Sequence, residues 1–469
     1  MKLPNSIILI LMVSTCASLS VAAKDIDASL DQKLRSLSKQ LGLTGVPHST
    51  LPLASIDSPL SQLGMKLFYS KSLGGEYDTA CVSCHHPVLG GGDNLSLPIG
   101  AHAKKPDILG KNRKLKAGYK LEVPRNAPST FNIAFYKKTL FHDGRIQTVS
   151  KAGIRGIHTP DVAYKKDDLL AGDNLVQAQA RFPVISAAEM RGDFISKAHN
   201  QTVRRALANR LKSKWLKEFQ KGFSDKKSSV DDLITEQNVS AAIAEYERSQ
   251  IFINNPWKQY LQGNNSAISI AAKKGALLFF TAKENKGANC SSCHSGDFFT
   301  DEAFHNTAIP QIGMGNGDGT TKTNDYGRWS VTKKNADMFR FRTPTLLNIE
   351  VTGPWGHDGA YTSLEAITRH MLSPQKSIQS FDKKQLTQKQ LHLDDLQKNT
   401  AEAIKSGIDL VTIKKISKED VKNIVSFLKT LTDPCVKSRK CLAPWIPKKT
   451  SNDPDGLMLH GSSRNRKLL

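Results

Sequence analysis

Beyond its first two dozen residues the chain has no apolar run approaching the roughly 20 residues that a membrane-spanning helix needs, so no stable membrane span is expected in the mature protein. Nucleic acid is not expected as a partner, because the basic residues are spread along a chain that reads as exported and form no recognisable nucleic-acid-binding motif. Acidic residues are in deficit: 43 Asp and Glu against 66 Lys and Arg leave a formal charge of +23. An excess of that size steers an acidic partner or maintains solubility. Cysteine is scarce, with 7 in 469 residues. Apart from Cys16 these fall into local pairs, Cys81/Cys84, Cys290/Cys293 and Cys435/Cys441, so a dense disulfide scaffold is excluded.

The first 23 residues carry one early lysine, the apolar run "IILILMV" and small residues ending in "SVAA". This reads as a secretory signal cleaved near Ala23, and the periplasm is the expected address. The alternative, a lipid anchor on Cys16, fits less well because "VST" is not the usual small-residue approach to a lipid-modified cysteine. The last pair, in "DPCVKSRKCLAPW", has no following histidine and reads as a small-loop disulfide.

The other two pairs are different. "ACVSCHHPVLGG" and "NCSSCHSGDFF" each give C-x-x-C-H: Cys81, Cys84, His85 and Cys290, Cys293, His294. In this spacing two thiols add to the vinyl groups of one haem, and the next imidazole binds its iron. A zinc ribbon would place its cysteine pairs about 15–20 residues apart, whereas these are separated by more than two hundred residues. A dithiol redox motif would not explain the repetition. The expectation is two covalently attached haem c groups.

The segments that lead into the motifs, "GMKLFYSKSLGGEYDTACVSCH" and "GALLFFTAKENKGANCSSCH", also match each other. With 39% hydrophobic residues and this internal repeat, a mainly α chain of two cytochrome-c-like haem domains with long connecting loops is expected. The helix in "VSAAIAEYERSQ", with Val239, Ala242, Ile243 and Tyr246 on one face, should close the first domain; "SKEDVKNIVSFLKTL", with a Ser417/Asp420 cap, should close the second. The expected divisions are 1–23 signal, 24–264 first haem domain, 265–445 second haem domain and 446–469 flexible basic tail.

Several ordered motifs resemble those of the bacterial dihaem cytochrome c peroxidases and their protein-modifying oxidase relatives: "CVSCHHPVLGGGD", "PRNAPSTFNIAF", "FHDGR", "FPVISAAEM", "DYGR" and "FRTPTLLNIEVTGPWGHDGAYTSLE". The resemblance implies that Met371, seven residues after Leu364, is the second axial ligand of the C-terminal haem, making that haem the point of electron entry. His370 is the rival ligand, and a Thr362/Glu365 capping box should start the helix that carries both. The same resemblance implies Glu189 as the acid/base group beside the His85 haem, and His102 either as a resting-state ligand of that iron or as a surface histidine. It implies a calcium ion held by Asn126, Thr352 and Pro354. Relatives have tryptophan where this chain has His142, which puts the electron relay in question and makes Trp355 the candidate substitute. Two insertions, about 103–124 and 146–180, flank the first site. His86 reads as incidental.

The function these readings imply is reduction of hydrogen peroxide to water with electrons from a small cytochrome c or cupredoxin. A dihaem oxidase that modifies an amino acid of a partner protein and a non-enzymatic dihaem electron carrier are the alternatives. The resemblance leaves a homodimer open.

Overall fold

The computed structural model describes residues 27–151, 154–386, 388–410, 413, 416–462 and 468–469. The signal sequence read at 1–23 lies outside them.

Two helix pairs organise the chain. The helix Pro59–Tyr69 starts on the Ser58 hydroxyl, which accepts from Ser61 N, with proline at its first position. It packs on Glu236–Arg248, and a β-carbon at Gly64 would collide with the Ala242 carbonyl, so only glycine allows this approach. In the second half Ile270–Phe280 packs in the same way on Lys418–Lys429, with Gly275 against the Asn423 carbonyl. The internal repeat is therefore one device used twice. The first closing helix buries the face expected of it, Val239, Ala242, Ile243 and Tyr246; in the second Val421, Ile424 and Leu428 are buried as expected, whereas Val425 is only partly buried and Phe427 joins the buried face. The Ser417/Asp420 capping box is formed.

Each pair has its own apolar core. Phe68, Val82, Leu207, Trp215, Phe219 and Tyr246 belong to the first. Trp257, Phe279, Phe280, Ile424, Phe427 and Leu428 belong to the second. Strands are few, so the architecture is mainly α. The insertion 146–180 contributes most of the strand: Ile146–Lys151 pairs antiparallel with Ile154–His158, and Leu140, Ile146, Ile157, Leu175 and Phe182 form a satellite core. The insertion 103–124 packs through Ala103 and Leu121 on Leu95, Leu97 and Ile99.

The chain crosses between cores earlier than residue 264. Trp257 stacks on Phe280 and meets Phe427 edge-on, with centroids 5.7 and 5.1 Å apart, so helix Pro256–Leu261 already belongs to the second core. The two ends of the chain are also exchanged. The helix over 27–40 lies on the second unit: Leu34 is buried in that core, Asp31 is 2.8 Å from Lys273 Nζ, and it accepts from the Tyr260 hydroxyl at 2.9 Å. The C-terminal segment, expected as a flexible tail, returns to the first unit. Ile446, Met458 and Leu459 sit in the first core, Leu459 N donates to Tyr69 O at 2.7 Å, and Asp455 accepts from the Trp215 indole at 2.6 Å. Its polar composition hid a single buried Met-Leu pair and one half-buried carboxylate anchor. The Cys435–Cys441 disulfide is formed at the start of this return, with Cα atoms 5.2 Å apart.

One cap differs from the sequence reading. Helix Leu364–Leu372 starts at Ser363, whose hydroxyl accepts from Ala366 N; Thr362 is held instead by Gln385, and Glu365 bonds Arg369. Two adjacent hydroxyl residues offered two registers, and the tertiary bond to Gln385 selects the later one.

Candidate haem-binding and reaction site

Both C-x-x-C-H segments begin as tight turns, Cys81–Ser83 and Cys290–Ser292. His85 N and His294 N bond back to the carbonyls of Cys81 and Cys290 at 3.1 and 3.0 Å. The two imidazoles are then fixed alike: His85 Nδ1 lies 3.2 Å from Gly91 O, and His294 Nδ1 lies 3.0 Å from Phe299 O. Engaging Nδ1 on a carbonyl leaves Nε2 available to a metal and sets the ring orientation. Burial lowers the proton affinity of both rings, which keeps them neutral as ligands must be. Gly90 makes the first turn possible, because it has positive φ and a β-carbon there would collide with the Val351 carbonyl.

The four cysteines of these segments are free thiols. Burial pushes Cys81 and Cys84 well above the ordinary thiol range and Cys290 up to about 12, so they are not poised as metal-binding thiolates. Both segments line one continuous cavity of about 660 Å³. Paired thiols and a neutral, carbonyl-anchored imidazole on the wall of a largely apolar cavity are the donor set of a covalently bound haem, and it occurs twice. His86 is not on this wall. It is buried, caps the turn Pro87–Leu89 by accepting from Val88 N, and packs edge-on to Tyr69, a local structural role.

Met371 lines the cavity together with Leu364, Ile367 and Leu372 of its helix. His370 does not, and both of its ring nitrogens are engaged, Nδ1 with the Tyr361 hydroxyl and Nε2 with Thr307 O, each at 2.8 Å. Glu189 lines the cavity from a π-helical turn, Ala187–Arg191. That turn is clamped through its backbone. Gly75 N donates to Met190 O at 2.8 Å, Ala101 N donates to Ala188 O at 3.2 Å, and a β-carbon at Gly100 would collide with Glu189 O. Burial raises the Glu189 carboxyl above its ordinary range, opposed by Arg145 and Arg125.

Those arginines belong to a buried ion lattice that joins three of the sequence motifs. Arg125, of "PRNAP", bonds Asp143 of "FHDGR" and reaches Asp325 of "DYGR" through two bonds of 2.7 and 2.9 Å. Despite the burial that opposes it, Arg125 and then Arg145 hold the Asp143 carboxyl below the usual carboxylate range. Arg145 also lies over the Phe141 ring at 3.5 Å.

His142 lines the cavity, and its Nε2 lies 3.0 Å from Asn126 O. Burial, Arg125 and Arg342 bring it down to about 4, so the neutral ring donates to that carbonyl. Asn126 N in turn donates to His357 O at 2.8 Å. One backbone residue thus bridges two H-D-G segments, His142-Asp143-Gly144 and His357-Asp358-Gly359. His357 was missed in the sequence, although the repeated H-D-G could have found it. It lines the cavity, stacks on Phe341 with centroids 3.6 Å apart, and is brought down to about 3 by burial. Trp355 is also on the wall, with its indole N–H donating to Ile349 O at 3.1 Å.

Asn126, Thr352 and Pro354 all line the cavity. The Asn126 amide nitrogen donates to Leu95 O and Ser96 O. Asn126 Oδ1 and the carbonyls of Thr352 and Pro354 accept no hydrogen bond among the described residues. His102 is placed apart from the cavity lining. It stacks on Tyr119 of the 103–124 insertion at 3.8 Å, and its Nδ1 is 3.4 Å from Glu76.

A mainly α chain whose two cores each present a C-x-x-C-H segment to one shared cavity is built as a di-haem c-type oxidoreductase. Over residues 58–266 the chain matches the model of the di-haem cytochrome c peroxidase family; that family carries two haem c groups. It is 28% identical to the methylamine utilization protein MauG of Methylorubrum extorquens, covering 77% of this chain and 80% of that one. It is 24% identical to the cytochrome c551 peroxidase of Pseudomonas aeruginosa, covering 84% and 83%. Among solved structures, a MauG-like protein associated with microbial copper homeostasis shares the fold with a TM-score of 0.55 at 21% identity, covering 87% of this chain and 97% of that one. No helix among the described residues is long and apolar enough to cross a membrane.

Proposed function

We propose that this protein is an exported dihaem peroxidase that reduces hydrogen peroxide to water with electrons from a small cytochrome c or cupredoxin. The observation that carries the reading is Glu189: a carboxylate of raised proton affinity, held by a backbone-clamped turn on the same cavity wall as Cys81, Cys84 and His85. The haem bound there supplies an iron that takes peroxide and accepts electrons. Cleaving the O–O bond requires a proton to move from the inner to the outer oxygen, and a buried, unpaired carboxylate is suited to that transfer. Glu189 takes the proton at one carboxylate oxygen and returns it to the departing oxygen, while Arg145 and Arg125 keep the carboxylate available in its ionised form.

At the second site His294 and Met371 hold the haem that receives electrons, a reading supported by Met371 on the wall and by the full engagement of His370. Trp355 and His142 stand on the wall shared by both sites, in keeping with a relay role. Asn126 Oδ1 and the Thr352 and Pro354 carbonyls are oxygen acceptors without donors among the described residues, and oxygen ligands of this kind suit calcium. His102, stacked on Tyr119 outside the cavity lining, supports a first haem that is open to peroxide without prior reduction.

Methionine at position 371 also separates this reading from the protein-modifying relatives, which the resemblance gives a tyrosine there. Peroxide turnover by the oxidised and half-reduced holoprotein, with reduced cytochrome c as donor, tests the assignment; negligible turnover in both states overturns it.

A further inference from the structure

The first haem pocket holds a second carboxyl that the mechanism above does not use. Glu247 is 8% exposed and lines the cavity from the helix Glu236–Arg248. Its side chain makes no hydrogen bond and no ion pair among the described residues. Such a group is costly to bury in ionised form, and burial alone pushes it up to about 8.

No group on the surrounding elements compensates it. On its own helix Arg248 is paired with Glu245, and Tyr246 donates to Trp445 O. On the packed helix Pro59–Tyr69, Lys66 is paired with Glu218, and the Tyr69 hydroxyl also donates to Trp445 O. Helix Leu175–Ala180 and the turn Ile133–Phe135 bring no charge. On Asn200–Leu211, Arg204 is tied to Asp161, Arg210 to the carbonyls of Gly74 and Gly75, and Arg205 is exposed. On the cavity wall Arg125 and Arg145 are tied to Asp143, and Asp409 is tied to Arg340. The titratable group that faces Glu247 is Cys81, whose thiol is raised by burial and then by Glu247. Cys81 is a haem attachment residue, so the carboxyl adjoins the edge of the first haem.

We propose that Glu247 is the redox-linked proton site of the first haem: it takes up one proton from solvent as one electron arrives there from the donor side. Ferric iron, one electron, the Glu247 carboxylate and one proton become ferrous iron and the Glu247 carboxylic acid. Adding negative charge beside a buried carboxylate raises its proton affinity, and by linkage protonation favours the reduced haem by the same factor. The proposal rests on the two-haem peroxidase reading.

The test is a spectroelectrochemical titration of the full holoprotein at a series of values between about pH 6 and pH 10. The first-haem potential is expected to fall with pH, approaching one proton per electron across an interval and flattening on either side. In Glu247→Gln the first-haem slope is lost with the haem still bound, while the second haem titrates as before. Glu247→Asp keeps a slope in a shifted interval, which a purely structural role would not produce. A slope that persists unchanged in Glu247→Gln, or a wild-type potential flat across the range, overturns the proposal. Neither readout needs peroxide, so absence of turnover would refute the peroxidase reading without altering this slope.

Discussion

Replacing Glu189 with glutamine removes one titrating oxygen and almost nothing else. The turn Ala187–Arg191 is held through the backbone by Gly75, Gly100 and Ala101, and the carboxylate makes no hydrogen bond among the described residues, so the variant should fold and bind haem as the parent does. What is lost is the proton shuttle. General acid–base groups contribute about 10²- to 10⁴-fold, and each decade is about 1.4 kcal/mol of barrier, so kcat should fall by that factor for a cost of about 3–5 kcal/mol. KM for peroxide should change far less, because the carboxylate acts on the transferring proton. The pH profile gives an independent sign. Burial raises the Glu189 carboxyl, so the acidic limb of kcat lies above the ordinary glutamate range, activity rises as the carboxylate ionises, and Glu189→Gln loses that limb. Stopped-flow kinetics with reduced cytochrome c across pH, beside absorbance spectra that confirm two haems, checks both. Unchanged kcat and an unchanged acidic limb in a fully loaded variant would falsify the role given to Glu189.

Met371→Ala should abolish the spectral signature of a methionine-ligated haem while both haems stay attached, whereas His370→Ala should keep it; magnetic circular dichroism separates the two. Arg125→Met strands Asp325 as a buried, unpaired carboxylate and leaves Asp143 with Arg145 alone, and breaking such a pair costs about 3–5 kcal/mol in denaturant unfolding. The sign with pH reverses. In the parent Arg125 holds both carboxyls low, so their contribution is present above the unfolded carboxylate range and is lost as acid protonates them. In the variant acid should recover stability. Leu459→Ala truncates a fully buried side chain of the C-terminal return, for a cost of about 2–5 kcal/mol; a free tail would give no change. His102→Ala should leave turnover by the oxidised protein intact, because that side chain is stacked on Tyr119 away from the cavity lining.

Local signals were legible. The faces of the helices Glu236–Arg248 and Lys418–Lys429 follow helical spacing, the Ser417/Asp420 cap lies within one turn, and the C-x-x-C-H segments declare themselves. What stayed hidden depends on partners far away in sequence. Asp31 and Lys273 look like ordinary surface charges until the fold places them 2.8 Å apart, and Asp455 reads as part of a polar tail until it meets the Trp215 indole. These two anchors exchange the chain ends between the cores, and no periodicity reports them. Glu247 was hidden for another reason: it sits in a helix whose apolar face was read correctly, beside an Arg248 that looks like its partner and is paired with Glu245 instead.

The account stands on one claim, that the His85 pocket reduces peroxide and the His294 pocket feeds it. Steady-state turnover of hydrogen peroxide by the purified holoprotein with reduced cytochrome c tests it most directly. Two moles of cytochrome should be oxidised per mole of peroxide, with turnover about 10²- to 10⁴-fold slower in Glu189→Gln while both haems are retained. Negligible turnover by the wild-type protein, in the oxidised and the half-reduced state alike, would contradict it.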